Sequence, residues 1–87
     1  MLESARQTQI KKKLQEDGWI VVKLIKTSLT GIPDILALKD GKAMFVEVKQ
    51  PKGKQSDNQK RFEQGSTKAG AHYHIVTSID DIKALGL

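Results

Sequence analysis

The chain has 87 residues, enough for one domain over residues 1–87 and too few for a second core. It has no cysteine, which excludes disulfides and thiolate metal sites, and no run near the roughly 20 apolar residues of a membrane span. Its charge is +5, Lys and Arg outnumbering Asp and Glu by 15 to 10; that surplus favours a polyanionic partner, because each neutralised phosphate releases counterions. The start, Met1-Leu2-Glu3-Ser4-Ala5-Arg6, carries an acid and polar residues instead of an apolar signal region. A soluble, cytoplasmic protein is expected.

Residues 3–16 read as a helix, with Glu3, Gln7, Ile10 and Leu14 on one face at i, i+4, i+7 spacing. Gly18 ends it. Residues 19–25, rich in Val and Ile, read as a strand, and residues 27–31 as a loop. Pro33 stands where a second strand begins, a position that tolerates a missing N–H, and that strand continues over 35–38. Asp40-Gly41 is a hairpin signal, and residues 43–48 return as the third strand. Residues 51–55 form a basic loop containing Gly53. Ser56 opens a second helix to about Lys68, which Gly70 stops. Residues 72–76 are a short last strand, and Ser78 or Asp80 starts a closing helix to Leu85. Three strands can pair as antiparallel meanders, while the fourth arrives by a helical crossover. The expected fold is α/β: a mixed four-stranded sheet flanked by helices, in the order αβββαβ plus a short C-terminal helix.

The Asp40-Gly41 turn sets a register. Lys39 faces Lys42, Leu38 faces Ala43, Leu36 faces Phe45, and Asp34 faces Glu47. Opposed residues have Cβ atoms about 4.5–5.5 Å apart. Two anions about 5 Å apart repel by roughly 3 kcal/mol at an effective dielectric of about 20. A divalent cation offsets that repulsion, and hard oxygen ligands suit Mg2+ or Mn2+; without the cation, deleting one acid would relieve it. Lys49, two residues beyond Glu47, shares its face at about 6.5–7 Å, whereas Val46 and Val48 point into the apolar layer. Two carboxylates and an ammonium therefore converge beside a sheet. Phosphodiester hydrolysis uses such a group: the metal polarises the phosphoryl oxygen and acidifies water, and the lysine orients that water or stabilises developing charge. Each half alone is weak evidence. Glu-x-Lys occurs on ordinary solvent-facing strands, and Gly-x-Pro-Asp is common turn chemistry; their meeting in one register carries the argument.

Gly31-Ile32-Pro33-Asp34-Ile35, then Glu47-Val48-Lys49, then Gln59 on the following helix, resemble the PD-(D/E)xK nuclease superfamily, and within it the virus-type replication–repair nuclease (VRR-NUC) family. The resemblance spans essentially the whole chain. It implies a restriction-endonuclease-like core and metal-dependent cleavage of DNA. Asp34 and Glu47 would bind the metal through their carboxylates, Val48 through its backbone carbonyl, and Lys49 would be the catalytic lysine. Glu3 matches an acid on the first helix that reaches the metal, directly or through water; an acid there also complements the helix dipole. Gln59 matches a glutamine that positions substrate or the lysine, but Ser56-x-x-Gln59 is equally a capping box. Stand-alone members are similar to Holliday-junction resolvases, which implies a homodimer acting on branched or four-way-junction DNA.

Lys52, Lys54, Lys60 and Arg61 are candidates for phosphate contacts beside the site, or else a solvated basic face. His72 and His74 share a strand face at a spacing that could ligate a metal, though edge-strand surface is the commoner case. Lys11-Lys12-Lys13 reads as the exposed side of the first helix, and Trp19 and Phe62 as core or dimer contacts. The rival to a Mg2+- or Mn2+-dependent endonuclease is a non-catalytic basic module that binds DNA or RNA.

Overall fold

The structure is a computed structural model that describes residues 3–86, the side chain of Glu3 excepted. Helix α1 (Glu3–Glu16) turns Ile10 and Leu14 inward, and both are fully buried. It ends in a Schellman motif. Gly18, at φ +93, donates to the Gln15 carbonyl, while the Trp19 N–H reaches back to that of Leu14. Trp19 is therefore committed to the cap and buried behind it. This shortens the first strand from the expected 19–25 to β1 (Ile20–Lys23). At its far end Leu24 donates one bond to the Asp34 carbonyl, 2.8 Å, and Ile25 is already 80% exposed.

Strands β2 (Ile35–Lys39) and β3 (Lys42–Val48) meet at Asp40 and Gly41. Their φ values of 51° and 77° are the two positive angles of a type I′ turn. The register is the expected one, with Lys39 opposite Lys42, Leu38 opposite Ala43 and Leu36 opposite Phe45. β1 pairs antiparallel with β2. Helix α2 (Asp57–Lys68) carries the chain across to β4 (His72–Val76), which pairs parallel with β3. The sheet order is β1-β2-β3-β4, mixed as expected. Helix α3 (Ile79–Ala84) closes the described chain. At its start Asp81 accepts hydrogen bonds from the Thr77 N–H and hydroxyl at 2.7 and 2.8 Å. Those bonds hold its carboxyl below the usual range.

Strand alternation sorts the two faces. Ile35, Ala37, Met44, Val46, Val48 and Val76 join Ile10, Leu14 and Ile82 in one buried cluster between the sheet and helices α1 and α3. The opposite face is covered only in part. Phe62 of α2 meets Phe45 edge-on, centroids 5.0 Å apart, beside Tyr73, and no residue of α2 is fully buried. Ile20, Val22 and Leu38 on this face stay exposed. No helix among the described residues is long and apolar enough to cross a membrane.

Candidate metal-dependent active site

Asp34 stands one residue before β2, whose ladder with β3 ends at Ile35–Val46. One further step in the same register sets Asp34 beside Glu47, on the face shared by Leu36 and Phe45. The approach to Asp34 is constrained by two residues. Gly31, at φ +75, passes so close to the first turn of α2 that a Cβ there would lie 2.5 Å from the Asn58 carbonyl carbon, so only glycine fits. Pro33 is fully buried. The Asp34 carboxylate then ties three elements together. Oδ2 accepts from the Val48 N–H at 2.7 Å, and Oδ1 accepts from Gln7 Nε2 of α1 at 3.2 Å. Ser4, Gln7, Lys23, Leu24 and Ile25 line a cleft that reaches Asp34.

Glu47 is 1% exposed, the one buried charged residue among those described. An ionised carboxylate in that position is costly unless donors surround it. Oε1 has two: the Tyr73 hydroxyl at 2.5 Å and Gln55 Nε2 at 3.2 Å. The same Gln55 nitrogen donates to Glu63 Oε1 at 3.1 Å. Oε2 is buried and accepts no hydrogen bond; Lys49 Nζ faces it at 3.7 Å as an ion pair. The Tyr73 hydroxyl is held far above its ordinary titration range, first by burial and then by its bond to Glu47. It stays a donor at any physiological pH. Repulsion between the two acids is therefore relieved in part by the protein itself, through Gln7, the Val48 amide, Tyr73, Gln55 and Lys49. Strand register by itself would leave that whole task to a cation.

The donor set still suits a hard cation. Among the described residues no three His, Asp or Glu side chains cluster tightly enough to cage an ion, but Mg2+ retains several waters and needs only one or two protein carboxylates. Oε2 of Glu47, buried without a donor, is an oxygen of the right kind beside Asp34. Val48 brings only its backbone, since its side chain lies in the core and its N–H serves Asp34. The metal role expected of Glu3 rests on a side chain outside the described residues.

The remaining candidates sit around this end of the sheet. Lys52 and Lys54 are exposed on the loop before α2, and Lys60 and Arg61 are exposed on α2. None of the four forms an ion pair among the described residues. Gln59 completes the capping box: its Oε1 accepts from the Ser56 N–H at 2.8 Å, and its own N–H donates to Ser56 Oγ at 3.2 Å. His72 and His74 lie on the Met44–Val46 face of β4, away from Glu47. Burial, then the neighbouring His72, lowers the pKa of His74. Three residues of the site lack a signature of their own in the sequence: Tyr73, Gln55 and Gln7. Gln7 could be found only as part of the α1 stripe, whereas Tyr73 needs the parallel β3–β4 register, which no local pattern specifies.

The VRR-NUC domain matches residues 2–79 of the chain. A solved structure of a VRR-NUC domain is similar at 32% identity and a TM-score of 0.84, covering 95% of this chain and 91% of that one. Among curated proteins none matches.

Proposed function

This chain belongs to the VRR-NUC domain family, and from that premise we propose that it is a Mg2+- or Mn2+-dependent endodeoxyribonuclease, acting as a homodimer on branched or four-way-junction DNA. The fold is of the nuclease type. One observation carries the reading: Glu47 keeps a buried oxygen without a hydrogen-bond donor, next to Lys49 and one step beyond the Ile35–Val46 pair that ends the ladder on the Asp34 side.

In this reading Asp34 and Glu47 hold the cation by their carboxylates, with the Val48 carbonyl as a further oxygen and Glu3 as a ligand direct or through water. When bound, the cation polarises the phosphoryl oxygen and lowers the pKa of water. Lys49 orients the attacking water or stabilises charge on the phosphate as it develops. Lys52, Lys54, Lys60 and Arg61 hold flanking phosphates. The open apolar face of Ile20, Val22 and Leu38 supports self-association, because an exposed patch of that kind suits a self-complementary contact.

The test incubates the protein with labelled four-way junction, linear duplex and single strand in Mg2+ or Mn2+. Cleavage that prefers the junction, is abolished by EDTA and is lost in Glu47→Gln is the expected result. Binding that survives EDTA with no cutting under any condition would make the chain a binding module instead.

A further inference from the structure

The geometry points to Tyr73 as a positioning residue for the proposed cation site: with Gln55 it pins one oxygen of Glu47 so that the other is always the one presented. The inference rests on the nuclease reading and deepens it. A glutamate carboxylate rotates readily about its last bond, so its two oxygens exchange unless one is held. Here both side-chain donors converge on the same atom. The Tyr73 hydroxyl reaches Oε1 at 2.5 Å, the short separation of a bond to a charged acceptor, and Gln55 reaches the same Oε1 at 3.2 Å. Oε2 receives neither and faces Lys49. An arrangement built only to bury the charge would share the two donors between the two oxygens; this one concentrates them.

Each donor is itself fixed. The Tyr73 ring packs against Phe45 and Phe62, at centroid distances of 6.3 and 6.4 Å. The Gln55 amide is bridged to Glu63 of α2. A hydrogen bond that orients a metal ligand contributes about 10–100-fold to metal affinity in known sites, and Tyr73 and Gln55 stand in that relation to Glu47.

The experiment measures Mn2+ binding to the full DNA-free chain by calorimetry, well below the unfolding temperature. Tyr73→Phe keeps the ring and removes only the hydroxyl. Gln55→Ala removes the second donor without touching the aromatic cluster. Ile82→Val is the control for stability alone, a core change on the other face of the sheet. We expect Tyr73→Phe and Gln55→Ala each to weaken Mn2+ binding by about 10–100-fold, and Ile82→Val to leave it unchanged. Wild-type affinity in Tyr73→Phe overturns the inference, as does an equal loss in Ile82→Val. Should Tyr73→Phe fail to fold, Gln55→Ala decides by the same criterion. If the wild-type chain itself binds no Mn2+, the metal-dependent reading fails and this inference goes with it.

Discussion

Asp34 works through both of its oxygens, and their partners decide what its loss does to the protein. Removing the charge relieves repulsion with Glu47, the effect the hairpin register suggests. Removing the side chain also strands the Val48 N–H, which donates to Oδ2 at 2.7 Å. A buried donor left unsatisfied costs about 1–3 kcal/mol. Asp34→Asn separates the two effects, since the amide oxygen can still accept from Val48. We therefore expect Asp34→Asn to be more stable than Asp34→Ala by about 1–3 kcal/mol in urea unfolding without metal, and on the nuclease reading we expect neither variant to cleave DNA. Equal stabilities would mean that the Val48 bond contributes nothing. The Leu38–Ala43 and Leu36–Phe45 pairings that lead toward Asp34 and Glu47 were legible in the sequence because a two-residue turn fixes register and strand alternation fixes side. The donors were not legible. Gln7 and Tyr73 lie 27 and 26 residues from their acceptors, and such pairings come from how elements dock, not from local pattern.

At the level of elements, Ser56 and Gln59 form both bonds of the capping box. Ser56→Ala should cost about 0.5–2 kcal/mol, seen as a lower thermal midpoint. Gln59→Glu keeps an acceptor for the Ser56 N–H and adds a charge that suits the helix start. If capping is the whole task of Gln59, this variant should retain both stability and cleavage; folded but inactive Gln59→Glu would place the amide with the substrate instead. β1 was overestimated because its Val/Ile run gives no sign that Trp19 belongs to a helix cap, nor that the chain leaves the sheet after Leu24. β4 carries a pH effect that composition hides. His74 is half-buried on the core face and its pKa is lowered, so the folded state resists its protonation. Stability is then complete above the unfolded histidine value near 6.5 and falls as pH drops through the lower folded value, where the unfolded chain binds more protons. Thermal midpoints should fall between pH 7.5 and 5.5, and His74→Val should flatten that slope.

For the whole molecule, element order and sheet topology follow from turn signals and a single helical crossover, so the architecture is largely legible in the sequence. Oligomeric state and choice of DNA structure are not, because both depend on surfaces meeting a second molecule. The charge distribution offers a direct way in. α1 and α2 lie against opposite faces of the sheet, and Lys52, Lys54, Lys60 and Arg61 gather on the α2 side, exposed and unpaired with any acid among the described residues. Lys12 is exposed on α1, across the sheet from them. Counterion release makes the slope of log affinity against log salt about −0.9 per phosphate neutralised on duplex DNA. If the α2 side carries the phosphate contacts, Lys54→Ala should weaken binding to duplex and junction alike and flatten the slope by about 1. Lys12→Ala should leave the slope unchanged. Both are best measured with Glu47→Gln protein in EDTA, so that cleavage does not intrude. A slope that responds to Lys12 and not to Lys54 would move the phosphate contacts from the α2 side to α1, and the assignment of Lys52, Lys54, Lys60 and Arg61 to the DNA would fail.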